Sequence, residues 1–443
     1  MRHDRAASGM LATLGLAGLL LVCGCGDASP GKPAGGAAAD WPGAGACVDA
    51  SRYVDLNSPT CGLQAAIDAA HAARADGGTV VLPPGQFPLR SSLVLSAGLT
   101  IRGSGASTIL QCAGGATGTL ARDCAVGDSE IELKAVCALR LGDEICLRDA
   151  EQNGWNCHKA IVLAVQGRRV RFAPASPRWF RVNQSAGVTH AFPAITADGT
   201  NDVTIESLRI VGPAASQPAD VPFDFVNDAI HLVKCSRVRV RDVTVTRWPA
   251  DGIGVQGGSD NQVIGCAVSD CRGHGFHPGT RLKQSVFTGN VARGNGQDGL
   301  YFCELVRSCT VSNNVFAENG GNGIGGMGLA WGQWNVCSGN VCDGNGRAGI
   351  ECWGLNNVVT GNVCVNNSRS APGKFPGILV INATGALIAS NRCGDDQKAA
   401  TQLTGIAETR ESDGNLFQGN VVSGSQKGIE RVGPHSVSAN NIE

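Results

Sequence analysis

Aromatic and charged residues are both scarce in this sequence: 5% and 16% of 443 residues. So little aromatic bulk argues against one large globular core, and a chain this long exceeds what a single such core usually sustains. Blocks of lysine or arginine are missing as well, and the net charge is −1. That excludes the basic surface a polyphosphate backbone requires, so nucleic acid is not an expected partner. Glycine is abundant, with 62 residues. Glycine in excess with aliphatic residues suits many tight turns wrapped round a narrow apolar core, the composition of an elongated repeat.

Near the start, Arg2 and Arg5 precede "MLATLGLAGLLLV", too short to span a bilayer comfortably and followed by small residues. Residues 1–25 read as an export signal. The stretch "LVCGC" resembles a bacterial lipoprotein cleavage site with Cys25 as the lipid acceptor. The expected product is an exported outer-membrane or cell-surface lipoprotein, or otherwise a secreted protein, and residues 26–45 form a flexible tether. Leaving Cys23 and Cys25 aside, an odd number of the 19 cysteines remains, so at least one thiol stays free. Cys47 with Cys61, and pairs among Cys112, Cys124, Cys137, Cys146 and Cys157, are the expected disulfide candidates.

From residue 227 onward a small residue followed by a large apolar one recurs nine times, at Ile230, Ile253, Phe276, Leu300, Ile324, Ile350, Ile378, Ile406 and Ile429. A second series, out of phase with it, places Asn290, Asn314, Asn340, Asn362, Asn391 and Asn420 at similar intervals. Two series with one period mean one structural unit, repeated. Alternation such as "VRVRDVTV" at 238–245 makes the unit a coil of short strands, not helices. Coils stacked in parallel at about 4.8 Å pair every backbone group and align like residues into ladders. The fold class predicted is all-β, a right-handed parallel β-helix over 196–443. Cys342, Cys364 and Cys393 each follow a ladder asparagine by two residues, which turns them into the core. Residues 46–111 supply an N-terminal cap, a helix in "CGLQAAIDAAHAARADGG" with Leu63, Ile67 and Ala70 on one face, followed by the first coils. Residues 112–195 break the rhythm and read as a small β-rich insertion, whose "WNCH" at 155–158 could lean over a groove.

The stretches "LQAAIDAA", "GGTVVLPPGQF" and "LTIRGSGASTIL" resemble the opening of the pectate lyase-like superfamily of β-helix proteins. That resemblance implies the fold; the superfamily holds lyases, hydrolases, epimerases, tailspikes and inert scaffolds, so reactions must be read from the site.

Aligned on the repeat, Asp228, Asp251, His274, Asp298 and Asn322 stand two residues before the apolar position, and His231, His277, Tyr301 and Glu351 one residue after it. Stacked carboxylates in an aliphatic core would be very costly, so both sets are expected on the outer surface, in a polar strip roughly 20 Å long. "GHGFHPGT" at 273–280 puts His274 and His277 in its middle coil, between Asp251 on one side and Asp298 with Tyr301 on the other. Asp228, Asp251 and the "GHG" of His274 resemble the polygalacturonase pattern, although Ala250 stands where the proton-donating acid belongs and "YFC" at 301–303 where a basic motif belongs. "HGFHPG" followed by "QDGL" resembles the catalytic coils of alginate C5-epimerases and related lyases, with Asp298, Phe276 and Pro278 matching, His274 at a tyrosine position, His277 at an aspartate and Gly279 at a histidine.

Removing the C5 proton of a uronate needs a base, a proton donor and positive charge over the carboxylate. His274 or His277 is the expected base, Tyr301 the donor, and Asp251 and Asp298 complete the catalytic set. Arg281, Lys283, Asp228, His231 and Glu304 are candidate substrate contacts. Arg237, Arg239 and Arg241 could hold further carboxylates, and Trp248, Trp331, Trp334 and Trp353 could stack on sugars or pack between coils. No cofactor is implied beyond possible Ca2+. The function expected is that of a monomeric enzyme acting on an acidic polysaccharide by β-elimination or epimerisation. Its rivals are a hydrolase using Asp228 and Asp251, and a non-catalytic glycan-binding or cell-surface scaffold.

Overall fold

The computed structural model describes residues 46–74, 77–154, 156–213, 227–409 and 411–443. Residues 1–45, where the export signal, the lipid acceptor Cys25 and the tether are expected, and Trp155 lie outside the described residues. From residue 195 the chain is a right-handed parallel β-helix. Each coil contributes one strand to an 11-stranded parallel sheet and one or two to a 21-stranded sheet, both counted among the described residues. In the coil that carries "GHGFHPGT", for example, Phe276–Pro278 belongs to the first, and Val286–Thr288 and Val291–Arg293 to the second. The repeated apolar residue defines the register: Ile230 pairs with Ile253, Ile253 with Phe276, Phe276 with Leu300 and Leu300 with Ile324. All five are fully buried and form one column of a core that runs the length of the stack.

The asparagine series is a hydrogen-bonded ladder. Asn314 Nδ2 donates to Asn340 Oδ1 at 2.9 Å, and Asn340 Nδ2 donates in turn to Asn362 Oδ1 at 2.9 Å and to the Val311 carbonyl at 2.9 Å. Each amide thus satisfies a turn whose backbone groups would otherwise be buried and unpaired. A second ladder, absent from the sequence reading, runs five residues behind the first through Asn295, Asn319, Asn345 and Asn367 to Gln402. Cys342, Cys364 and Cys393 stack in register inside the core, as their position dictates.

The cap is the helix Leu63–Ala73, which buries Leu63, Ala66, Ile67 and Ala70 against the end of the stack. The insertion is a six-stranded sheet with a core of its own, including Leu133, Ile145, Val162, Phe172 and Phe180. It is tied to the helix by the Arg90–Asp143 ion pair, in which Asp143 is fully buried. His158 does not lean over a groove; its Nε2 meets the Pro174 carbonyl at 3.0 Å within the insertion.

Three further expectations are corrected. Cys47, Cys61, Cys112, Cys124 and Cys137 carry free thiols, so Cys47 and Cys61 are not joined. Cys61 instead donates to the Pro88 carbonyl at 3.3 Å, and Cys112 is a buried core residue, because the stacked core takes a thiol as a small apolar side chain. Neither is Cys146 opposite Cys157: their adjacent strands pair Cys146 with Lys159 and Cys157 with Arg148. Arg237 and Arg241 are occupied by Asp202 and Glu206 on the 21-stranded sheet, a different sheet from that of His277. The tryptophans divide: Trp248 is buried and its Nε1 donates to the Asn227 carbonyl, whereas Trp331 and Trp334 are exposed.

Candidate functional site

The 11-stranded sheet supplies the site. Along it His231 is in register with Gly254 and His277, and Tyr301 with Gly325, each immediately after an inward apolar residue and therefore on the opposite face. Glycine at two of these positions makes room for acids. A Cβ on Gly254 would stand 1.7 Å from Asp228 Oδ2, and one on Gly325 would stand 2.2 Å from Asp298 Oδ2. The carboxylates of one coil therefore lean into space that the next coil leaves open.

The residues two before the apolar position form a third ladder, built from ionisable groups. Asp251 Oδ1 accepts the backbone N–H of His274 at 2.6 Å, and His274 Nδ1 accepts that of Asp298 at 3.1 Å. Asp298 in turn accepts the N–H of Asn322, and Asn322 Oδ1 that of Ala348 at 3.0 Å. This corrects the expectation that these side chains face open solvent. Asp228 is 0% exposed, Asp251 4% and Asp298 7%. Backbone donors from the neighbouring coil offset the cost of burial, so the strip sinks into the floor of a groove instead of standing on a surface.

The cavity above it has a volume of about 1410 Å³ and is lined by His231, Asp251, His274, His277, Asp298 and Tyr301, with Arg281 and Glu304 from the adjoining turns. His274 and Tyr301 stack with ring centroids 4.5 Å apart, and His277 meets Tyr301 edge-on at 5.4 Å. Asp251 Oδ2 receives His277 Nδ1 at 2.7 Å, and Asp228 Oδ2 receives His231 Nδ1 at 2.9 Å. Asp228 itself lies beneath His231, fully buried. Lys283 does not reach the cavity; it is exposed at a corner of the coil, bridged to Ser259 and Arg307. Sequence reasoning missed Arg347, Gln256, Lys234 and Cys303, all of which line the groove. Strand alternation places Cys303 on the side of Tyr301, and that was the available signal for it; Arg347 enters from a turn outside the aligned positions.

Burial and hydrogen bonding divide the ionisable groups. Burial pushes the His277 imidazole down, but its hydrogen bond to Asp251, the Cys303 sulfur and the charges of Asp251 and Asp228 outweigh this and bring its pKa to about 10. His274 moves the other way, to about 4, because burial and the charge of His277 outweigh the pull of Asp251. Since its Nδ1 accepts an N–H, the neutral ring carries its proton on Nε2. Burial lifts Asp298 to about 7 and Asp228 to about 6 against the donors that hold them, and raises the Tyr301 phenol. For Asp251 burial is outweighed by the field of the two imidazoles and by its two hydrogen bonds, so it stays below the usual range.

These shifts predict a pH effect on stability. With its pKa raised from 6.5 to about 10, His277 contributes stability fully present below pH 6.5 and lost as pH climbs through 10. The thermal midpoint of wild type is therefore expected to exceed that of His277→Gln most near pH 6, with the gap closing by about pH 10. A gap that widens with pH overturns the assignment.

Atoms of Asp228, Asp251 and His277 able to ligate a metal lie within 4.8 Å of one another. Their chemistry does not suit Ca2+, which takes about six to eight oxygens. Of the groups here, His277 Nδ1 is engaged by Asp251 and Asp228 Oδ2 by His231. The three are matched to an imidazolium between carboxylates.

Residues 193–363 match the family model described as right handed beta helix region. No curated protein matches the sequence. Among solved structures, the chain is similar to the A-modules of the Azotobacter vinelandii mannuronan C-5 epimerases AlgE6 and AlgE4. For AlgE6 the identity is 17%, the coverage 89% of this chain and 98% of that one, and the TM-score 0.56. For AlgE4 the corresponding values are 17%, 88%, 99% and 0.54. The catalytic unit of a thermostable GH87 alpha-1,3-glucanase from Streptomyces thermodiastaticus is similar at 13% identity, over 92% of this chain and 70% of that one, with a TM-score of 0.57. At such identities the likeness is one of fold. Stacked coils, asparagine ladders and the family match agree: the chain is a right-handed parallel β-helix protein.

Proposed function

We propose that this protein is a carbohydrate-active enzyme that removes the C5 proton of uronate residues in an acidic polysaccharide, by β-elimination or C5 epimerisation. The observation that carries the reading is the convergence, in one long groove, of a protonated phenol at Tyr301, a cation at His277 and the guanidinium groups of Arg281 and Arg347. A carbanion beside a carboxylate forms readily only where its negative charge is met by fixed positive charge. In this reading Arg281 and Arg347 hold the sugar carboxylates, His277 supplies charge at the floor, and Tyr301 donates the proton to the leaving oxygen or returns it to the opposite face. His274, with its proton on Nε2, hydrogen-bonds the substrate. Neither histidine is the base, in contrast to the expectation from sequence. One is already protonated, and the other has its free nitrogen occupied by the Asp298 N–H. The names of the structural relatives, mannuronan epimerases and a glucanase, support a polysaccharide as the substrate. An exported, lipid-anchored location, which the leader and Cys25 suggest, would bring the enzyme to such polymers.

Hydrolysis by Asp228 and Asp251 is less well supported. Their nearest oxygens lie within 4.8 Å, tighter than the roughly 6.5–9.5 Å that an inverting pair needs for its water. Asp228 is also sealed from the groove beneath His231.

The test is incubation of the purified chain with alginate, polygalacturonate and other polyuronates in deuterated water. Elimination yields ultraviolet-absorbing unsaturated ends, and epimerisation yields deuterium at C5 with a changed NMR spectrum. Reducing ends without unsaturation would favour the hydrolase. Binding with no reaction on any polymer would favour a scaffold.

A further inference from the structure

The proposed reaction lacks a proton acceptor, and Cys303, which lines the groove, has been given no role in it. Cys303 lies two residues past Tyr301 on the same side of the chain, half-buried in the groove wall. Its Sγ is 3.1 Å from Thr280 Oγ1. His277 stands beside it. The Nδ1 of that ring is committed to Asp251 at 2.7 Å, while Nε2 is buried and has no partner that meets hydrogen-bond geometry. A buried polar nitrogen without a partner is costly, and here the Cys303 sulfur is the side chain it acts on.

We propose that Cys303, His277 and Asp251 form a thiolate–imidazolium–carboxylate set in which Cys303 is the base that takes the C5 proton of the uronate. The inference rests on the polyuronate reading. Cys303 is the catalytic residue, since it faces the groove; His277 and Asp251 position and charge it from below. Its ionisation agrees with this arrangement. Burial raises a thiol, yet the charge of His277 and the Thr280 hydroxyl bring Cys303 below its ordinary value. Core thiols go the opposite way: burial lifts Cys266, Cys271, Cys309 and Cys352 each to about 12. Glu304 and Tyr301 are the other titratable groups on the same stretch of chain, and neither contributes a positive charge. A thiolate beside a protonated imidazole is ionised near neutral pH and is a competent proton acceptor.

In the step proposed, the C5–H bond breaks, the proton passes to Cys303 sulfur, and the electron pair moves into the sugar carboxylate as an enediolate facing Arg281 and Arg347. In elimination that pair then expels the C4 oxygen, which takes the Tyr301 proton. In epimerisation Tyr301 delivers its proton to the opposite face of C5. Either way Cys303 ends as thiol and Tyr301 as phenolate, and transfer of one proton between them through solvent restores the enzyme. No oxidant or cofactor enters.

The test has two arms, both on the full chain. Without substrate, the rate of iodoacetamide labelling at Cys303 is followed against pH by peptide mass spectrometry. Labelling is expected to titrate at least one pH unit below the ordinary thiol value of about 8.5, and His277→Gln is expected to move it back by at least one unit. A profile centred at 8.5 or above, or one that His277→Gln leaves in place, overturns the proposal. With polyuronate, Cys303→Ala and Cys303→Ser are expected to bind normally and to lose turnover about 100-fold or more. Full activity in Cys303→Ala overturns the base assignment and leaves the polyuronate reading standing. Wild type inert on every polyuronate overturns both.

Discussion

Tyr301→Phe is expected to slow turnover of polyuronate by about 100- to 10,000-fold, the usual worth of a positioned general acid, while binding and thermal stability stay near wild type. The substitution deletes one oxygen. The ring remains, and with it the stack on His274 at 4.5 Å and the edge contact with His277 at 5.4 Å, so the groove keeps its shape. Burial holds the phenol in its protonated form, which is the form a donor requires. Steady-state kinetics beside equilibrium binding of an unreacted oligouronate would separate the effects. A fall in affinity with unchanged kcat would make Tyr301 a binding residue only, and the acid would have to be sought elsewhere.

The largest expected loss of stability is at a residue far from chemistry. Asn340→Ala removes the acceptor of the Asn314 backbone N–H at 3.1 Å and of Asn314 Nδ2 at 2.9 Å, and the donor to Val311 and Asn362. All of these groups are buried, and leaving several of them unpaired is expected to cost about 3–5 kcal/mol. Cys342→Ala, two residues further along the chain and equally buried, deletes only a sulfur from an apolar stack and is expected to cost about 1 kcal/mol. Thermal melts of both variants at one scan rate provide the comparison. Equal losses would mean that the ladder contributes no more than packing.

Much of the architecture was legible in the residues. The column from Ile230 to Ile429 and the asparagine series recur at near-constant intervals, and a parallel stack is the arrangement that brings equivalent residues of successive coils into register. The helix at Leu63–Ala73 followed from local pattern, and the core thiols from their place two residues after each ladder asparagine. The second ladder escaped because Asn295, Asn319 and Asn345 sit in Gly-Asn-rich turns where asparagine is common for local reasons.

The candidate site was legible as a list and not as chemistry. His274, His277, Asp251, Asp298 and Tyr301 do meet in one groove, whereas Lys283 does not, and Arg347 and Cys303 join unannounced. Exposure was misjudged because a carboxylate was weighed against an aliphatic core, without the backbone N–H groups that the next coil would offer it. The base stayed open between His274 and His277 because a histidine near two aspartates can be either acceptor or cation.

By itself the sequence determined the coil, its period, the register of the stack and which residue types share a column, since all of these follow from repetition. Only the tertiary structure decided which of those groups are buried, which nitrogen of each imidazole is occupied and where the protons reside. Apart from the Asp228–His231 pair, those properties depend on contacts between residues some 23 to 26 positions apart and on the water that stacking excludes, and no single coil contains either.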